Sequence, residues 1–326
     1  MPQQIYDEKF YEKIHSYFRQ RLPEKIYDAH FHAKFKHLDD GECVSTDYDK
    51  CLEFTKETLG RAVDSGLFTV MPAECHTEET IDKENEKVIE IAKRDGYSVG
   101  LLVRPNDGRE KTEKMLDAHP IITALKPYLL YVTEKDRYEA DITDFAPEWM
   151  WELANDRELP IIVHISHYQD LLSDENNIKE IKYITSKYPK AKMVLAHCAM
   201  GHNIPKLVWG LEEIKGIDNI WFDCSGITNP ASICYCIKAF GVDKMMYGSD
   251  YDFGKVIGRI VSVGSNFLGL HNGYVNEEKL FPDYKYQPLN NAEEGLLALF
   301  QAIDILGLSE EDVQKIFYTN AKKLYK

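Results

Sequence analysis

The sequence predicts a single-domain (β/α)8 barrel of the TIM type, and three features of the chain support this fold class. Short apolar runs alternate with longer segments in which apolar residues recur at helical spacing. Eight such runs follow one another at intervals of roughly 25–40 residues, which is the length that a strand, a helix and two loops require. Most runs are apolar on both faces, as buried parallel strands are. A chain of 326 residues, 44% of them hydrophobic, is long enough for this barrel.

The order of the predicted elements follows from these runs. The strands are predicted at 25–32, 67–74, 97–105, 121–131, 160–166, 192–199, 219–225 and 244–250. Helices are predicted at 80–94, 144–157, 177–188, 204–215, 292–306 and 310–326. An amphipathic helix at 6–22 precedes the first strand, so residues 1–24 are expected to form an N-terminal helical flank. The alternative fold is an open doubly wound sheet, but no Gly-x-Gly-x-x-Gly motif follows the first strand.

The segment 254–289 interrupts this regular alternation. It follows the last predicted strand, is rich in glycine and aromatic residues, and is too long for an ordinary loop between a strand and a helix. Two interpretations remain open: a lid over the site, or an arm that packs on a second subunit. The second interpretation predicts a homo-oligomer, with a dimer favoured.

The composition excludes some classes of partner. The chain carries 39 Lys and Arg against 54 Asp and Glu, a net charge of −15, which argues against a nucleic-acid partner. Neither a bilayer-spanning apolar run nor the apolar core of a secretory signal is apparent, so we expect no membrane association and a cytoplasmic location. The seven scattered cysteines are typical of reduced thiols. A small-molecule substrate is the expected partner.

Polar residues stand at the ends of most predicted strands. Barrel enzymes build their active sites at the carboxyl ends of the strands, so these residues are the functional candidates. His30 and His32 are two apart on the first strand and therefore share a face. The other candidates are Glu74, Arg104, Lys126, His164, His197 and Asp250, at the ends of strands two, three, four, five, six and eight.

Each of these residues alone also has a structural explanation. A histidine after three apolar residues is more often part of a core, and an aspartate such as Asp250 can cap a turn. Arg104 can form a salt bridge with Glu74. In a barrel, however, the histidines and Asp250 converge, and a buried cluster of this kind is costly unless it binds a metal. Imidazole and carboxylate groups suit zinc or a similar divalent ion.

Several motifs in the chain resemble those of a known enzyme superfamily. They are Asp28-Ala29-His30-Phe31-His32, Ile161-Ile162-Val163-His164, Leu195-Ala196-His197-Cys198, Tyr247-Gly248-Ser249-Asp250 and Asn320-Ala321-x-x-Leu324-Tyr325. The chain resembles the amidohydrolase superfamily and is most similar to the amidohydrolase-related branch that contains aminocarboxymuconate-semialdehyde decarboxylase. The resemblance implies one divalent metal, zinc or alternatively manganese, held by His30, His32, His164 and Asp250. It places His197 beside the metal-bound water.

A second metal is an open alternative at this stage. Other branches of the superfamily carboxylate a lysine on the fourth strand and use it to bridge two metals, and Lys126 lies on that strand. With one metal, Lys126 is instead a cation for the substrate or part of the packing of the barrel.

The resemblance implies a metal-dependent hydrolase that cleaves an ester, lactone or amide bond of a small carboxylated molecule. Asp250 would orient the attacking water and take its proton, and His197 would stabilise the charge on the attacked oxygen. Arg104, Lys126 and Glu74 are the substrate-binding candidates. The first alternative is a metal-dependent decarboxylase, a lyase with the same ligands. The second is a non-catalytic barrel, which the intact set of costly polar groups disfavours.

Overall fold

The computed structural model describes residues 7–39, 42–73, 76–167, 170–271 and 287–326. In these ranges the strands are β1 (Tyr27–Ala33), β2 (Phe35–His37), β3 (Cys43–Ser45), β4 (Ser65–Val70), β5 (Ser98–Val103), β6 (Ile122–Pro127), β7 (Pro160–Val163), β8 (Lys192–Leu195), β9 (Ile220–Asp223), β10 (Met245–Met246), β11 (Gly258–Val263) and β12 (Asn266–His271). The α-helices with right-handed geometry are Glu8–Arg21, Tyr48–Leu59, Glu78–Asp95, Arg109–Ala118, Ile142–Phe145, Glu148–Arg157, Glu175–Lys187, Ile204–Ile214, Pro230–Phe240, Asn291–Leu306, Glu310–Gln314 and Asn320–Leu324.

Eight parallel strands form the central sheet, in the order β1-β4-β5-β6-β7-β8-β9-β10. The segment that follows β10 closes the sheet onto β1. The N–H of Ala29 donates to the carbonyl of Tyr247 at 2.9 Å, and the N–H of Asp250 donates to the carbonyl of His30 at 2.8 Å. Phe31 and Tyr251 then form a parallel bridge. The predicted TIM-type barrel is therefore confirmed.

Seven of the eight barrel strands end before the predicted runs do, and β1 alone of these eight extends one residue further, to Ala33. The strand at the predicted run 67–74 spans Ser65–Val70, and the strand at the predicted run 244–250 spans Met245–Met246. The chain leaves the sheet there because it turns into the site loops. Asp250, for example, has a φ of 51°, which no strand residue adopts.

Two layers of apolar side chains build the core. The inner layer fills the barrel with one or two residues from most strands, including Tyr27, Leu67, Ile162 and Val194. The outer and larger layer lies between the strands and the surrounding helices. This arrangement explains why the strand sequences are nearly continuously apolar.

The N-terminal helix Glu8–Arg21 lies within the predicted segment 6–22. It packs on helix Asn291–Leu306, where the rings of Phe18 and Phe300 are 6.0 Å apart. A buried hydrogen bond of 2.7 Å joins His15 Nε2 to Glu293 Oε1. The flank is therefore fixed to the last long helix of the barrel. Among the described residues, no helix is both long and apolar enough to cross a lipid bilayer.

The described part of the segment 254–289 contains the antiparallel hairpin β11–β12. Residues 272–286 lie outside the described residues. The buried amide of Asn203 holds this hairpin against the barrel, because its Nδ2 donates to the backbone carbonyls of Gly264 at 3.0 Å and Asn266 at 2.8 Å. Ile260 and Phe267 of the hairpin line the main cavity. A lid function and a subunit contact both stay predictions.

Removing the side-chain amide of residue 203 should loosen this hairpin. We expect Asn203→Ala to leave the hairpin carbonyls without their donor, at a cost of about 1–3 kcal/mol, and to speed amide hydrogen exchange over 258–271. Asn203→Asp is the matched control for the helix start, since it can still accept the N–H of Lys206 but cannot donate to the hairpin. Unchanged exchange in both variants would contradict this role.

Candidate metal centre

His30 and His32 face the interior of the barrel because the register of β1 shifts. The pairing of β1 with β4 is irregular between Asp28 and Phe31. Before the shift, Ala29 belongs to the inner core layer, and after it Phe31 belongs to the outer layer. Such an irregularity re-aims side chains, and here it directs both histidines into the cavity at the carboxyl end.

Hydrogen bonds fix which nitrogen of each histidine carries hydrogen. His30 Nδ1 lies 3.1 Å from Asp223 Oδ2, and His32 Nδ1 lies 3.2 Å from the carbonyl oxygen of Val70. These oxygens only accept, so each Nδ1 donates and each Nε2 presents a lone pair. Burial lowers the pKa of both imidazoles, which favours the neutral form. The two Nε2 atoms are nevertheless 3.0 Å apart, which is unfavourable unless a cation lies next to them.

Asp250 brings a carboxylate to the same place. Its Oδ1 lies 4.0 Å from His30 Nε2 and 3.8 Å from His32 Nε2, and its Oδ2 lies 3.8 Å from His197 Nδ1. Burial raises the pKa of this carboxyl to about 6, although the neighbouring His30 opposes the shift. Gly226 lies against this carboxylate and has a φ of 67°, a left-handed conformation that glycine adopts without strain. The ligand atoms of His30, His32 and Asp250 all lie within 4.8 Å of one another.

His164, the fourth predicted ligand, directly follows β7 and is not part of the group of ligand atoms within 4.8 Å. It lines the same cavity, and its ring centroid lies 5.1 Å from that of His197. Its buried Nδ1 has no hydrogen-bond partner in the described part of the chain. Burial lowers its pKa well below the ordinary value. Two convergent imidazole lone pairs, a carboxylate and a nearby imidazole nitrogen without a partner suit a divalent metal such as zinc or manganese.

His197 occupies an unusual backbone turn after β8. Residues His197, Cys198, Ala199 and Met200 all have φ between 50° and 56°, the left-handed region that costs about 1–2 kcal/mol for each residue with a Cβ. The turn places His197 against Ser225, whose carbonyl oxygen accepts from Nδ1 at 2.9 Å. Its ring stacks on that of His30 at a centroid distance of 5.0 Å.

Asp223 is the central supporting residue, and the strand-end reasoning missed it. One oxygen accepts from His30 Nδ1, and the other accepts from the N–H of His197 and from the hydroxyl of Ser225. Burial alone would raise the pKa of Asp223, but His30 and His197 outweigh it and hold the pKa below its ordinary value. Its position at the end of β9 could have identified it, because the same strand-end rule applies to that strand.

A second group of possible ligands, His30, His197 and Asp223, also converges. It shares His30 with the first group, and Asp223 already accepts hydrogen bonds on both oxygens. These contacts make Asp223 the orienting partner of a metal-ligating histidine, as such carboxylates commonly are.

Lys126 lies inside the barrel, completely buried, and among the residues that the structure describes its Nζ has no hydrogen-bond partner. Burial lowers its pKa to about 8, against the opposing pull of Asp223 and Asp250. The Nζ lies 5.6 Å from the ring centroid of Tyr128. A buried amine of this kind is costly to the folded chain.

Arg104 does not lie with the candidates that the structure describes. Its guanidinium pairs with Asp107 at 2.7 Å and with Glu78 at 3.6 Å, apart from the residues that line the main cavity. Glu74 lies outside the described residues, as does its predicted salt bridge with Arg104. Both therefore remain predictions as substrate-binding residues.

A cavity of about 480 Å³ opens above the ligand cluster. Its walls are mostly apolar and come from the loops after the strands. The described residues that line it beside the five site residues are Met71, Pro72, Tyr128, Leu129, Leu130, Arg137, Tyr138, Met200, His202, Gly226, Phe253, Ile260 and Phe267. This is the usual character of a small-molecule site.

The fold and this site together define a barrel enzyme that works with a divalent metal. A family model described as amidohydrolase matches residues 27–326, and the chain therefore belongs to the amidohydrolase family. The resemblance found in the motifs is thus confirmed. The comparison with curated proteins found no significant relative.

Solved structures with the same fold include enzymes of different reaction types. One is 4-oxalomesaconate hydratase LigJ from Rhodopseudomonas palustris, at 16% identity and a TM-score of 0.61, covering 92% of this chain and 95% of that chain. Another is 5-carboxyvanillate decarboxylase LigW from Sphingomonas paucimobilis, at 14% identity and a TM-score of 0.53, covering 92% and 98%. LigW2 from Novosphingobium aromaticivorans, at 13% identity and a TM-score of 0.55, covers 85% and 80% and contains manganese.

Neutralising Asp223 should weaken metal binding. We expect Asp223→Asn to lower zinc affinity by about 10- to 100-fold, because His30 loses the carboxylate that fixes its tautomer. Competition with a chromogenic chelator measures the affinity, and circular dichroism checks the fold. Asp218→Asn is the matched control, since Asp218 is exposed just before β9. Equal affinities in the two variants would rule out this role for Asp223.

Replacing Lys126 should stabilise the metal-free protein. We expect Lys126→Met to raise the free energy of unfolding by about 1–3 kcal/mol, since it removes a buried amine without a partner. Below pH 8 the amine of the wild-type protein is protonated in the folded and the unfolded chain, so the stability gained by Lys126→Met is at its full value. Between about pH 8 and the ordinary lysine value of 10.5 the folded chain binds fewer protons, so the gain should shrink. Urea unfolding at several pH values tests this, and a less stable variant would contradict it.

Proposed function

We propose that the protein is a metal-dependent hydrolase that cleaves an ester, lactone or amide bond of a small carboxylated molecule. The observation that carries the proposal is the pair of imidazole lone pairs on His30 and His32, 3.0 Å apart, next to the carboxylate of Asp250. The cavity above them has the size and the apolar walls of a small-molecule site.

His30, His32, His164 and Asp250 would hold one divalent metal, which we propose to be zinc, with manganese as the alternative. When bound, such an ion supplies Lewis acidity, which lowers the pKa of water and polarises a carbonyl group. The alternative with two metals and a carboxylated Lys126 predicts twice the metal content per chain.

The remaining chemistry belongs to residues of this chain. Asp250 directs Oδ1 towards the histidine nitrogens and Oδ2 towards His197, so it can accept the proton of the attacking water and pass it to the leaving group. His197 donates its Nδ1–H to Ser225, which leaves Nε2 to accept a hydrogen bond from water. A second proton, taken up from solvent at Nε2, would let His197 stabilise charge on the attacked oxygen and would return to solvent after the reaction. Lys126 supplies a positive charge beneath the cluster.

Decarboxylation is the second candidate, and the apolar cavity favours it. A carboxylate transferred from water into apolar surroundings loses hydration, which favours its loss as CO₂. The LigW enzymes that share this fold are named as decarboxylases. The same ligands would then bind the carboxylate, and an acidic group of the site would protonate the carbon that loses CO₂.

The central test is turnover by Asp250→Asn in zinc- or manganese-reconstituted protein. We expect the variant to lose at least about 100-fold in turnover of the best aryl ester, lactone or anilide found with the wild-type protein, because an amide cannot accept the proton. Asp252→Asn is the matched control two residues along the chain, since Asp252 pairs with Lys34 and Lys255 instead. Undiminished turnover by Asp250→Asn would refute the mechanism.

Product and metal analysis separate the remaining alternatives. Acid release without CO₂ supports the hydrolase, whereas CO₂ release from aromatic acids supports the decarboxylase. One zinc or manganese per chain supports the single-metal site, and two would indicate a carboxylated Lys126. Absence of metal after reconstitution would overturn both functions.

A further inference from the structure

The main cavity has one permanently charged cation among the described residues that line it, and that residue is Arg137. Most of the other side chains on its walls are apolar, such as Leu129, Met200 and Phe267. The chain as a whole carries a net charge of −15, so it repels anions at a distance. A cation at this position therefore provides local attraction for an anion that the rest of the molecule disfavours.

The backbone at Arg137 is firmly held. It lies in the single helical turn Arg137–Glu139 that follows β6, and its carbonyl oxygen accepts the hydroxyl of the buried Ser166 at 3.0 Å. The guanidinium carbon lies 5.1 Å from the ring centroid of Tyr138, and Tyr138 also lines the cavity. The side chain is half-buried, so its charge is less screened than that of a surface arginine.

The order of groups along this segment suggests how a ligand would lie. Lys126 is buried in β6 beside the ligand cluster, Tyr128 lines the cavity just past the strand, and Arg137 lies in the loop beyond it. The ring of Tyr128 is 5.2 Å from that of His164, so it stands next to the metal ligands.

We propose that Arg137 binds the carboxylate of a compact, mostly apolar acid while the reacting group of that acid lies at His30, His32 and Asp250. This inference rests on the proposed function and specifies its substrate class. A guanidinium matches a carboxylate with two parallel hydrogen bonds, and the apolar walls accept the rest of a flat hydrocarbon such as an aromatic ring. Arg137, and not Arg104, is then the arginine that recognises the substrate.

Benzoate and benzamide are suitable probes, since they have the same shape and differ in charge. Calorimetric titration of metal-free protein isolates Arg137 from any contribution of the metal. We expect benzoate to bind the wild-type protein about tenfold more tightly than benzamide, and Arg137→Gln to abolish this preference without changing benzamide binding. Arg137→Lys should retain part of the preference, because it keeps the charge and loses the paired geometry.

Arg109→Gln is the matched control for total charge, because Arg109 pairs with Asp156 on the helical surface. It should leave benzoate binding unchanged. Benzoate binding by the wild-type protein that is undetectable or no tighter than that of benzamide would overturn the inference, as would equal losses in Arg109→Gln and Arg137→Gln. Failure of every hydrolysis and decarboxylation assay would refute the proposed function and leave this binding result to stand by itself.

Discussion

The site depends on one electrostatic constraint, which is that two imidazole lone pairs face each other at 3.0 Å inside the barrel. The constraint is imposed from behind, where Asp223 and the carbonyl of Val70 hold the Nδ1 hydrogens of His30 and His32. Burial prevents relief by protonation, since it lowers the pKa of both rings. This repulsion destabilises the metal-free fold. A divalent cation removes it, so metal binding stabilises the folded protein.

Much of this was predictable because strand periodicity and barrel topology are visible in the sequence. The spacing of apolar runs predicted the barrel, and the rule that sites lie at the carboxyl ends of strands selected His30, His32 and Asp250. The irregular register of β1 was not visible, although it decides which way the histidines point. A pattern of alternation cannot show where one residue interrupts it.

Contacts of residues in the loops after the strands were harder to predict. Arg104 follows a strand directly, yet Asp107 three residues later takes its guanidinium, because a nearby carboxylate is a stronger partner than a distant ligand. Arg137, the arginine proposed for substrate binding, gave no signal in the sequence because it lies ten residues beyond the strand end at Pro127. The path of its loop is set by tertiary contacts such as that with Ser166. Asp223 could have been found by applying the strand-end rule to β9.

The left-handed turn from His197 to Met200 has a consequence for how this protein can be altered. Glycine adopts these backbone angles without strain, so Ala199→Gly should relieve local strain and also free the turn to move. Valine or isoleucine at the same place should be excluded by their branched Cβ. Selection for heat resistance and selection for rate would therefore act in opposite directions on this turn. In thermostable relatives with a glycine at this position, the orientation of the His197 imidazole should be less well fixed.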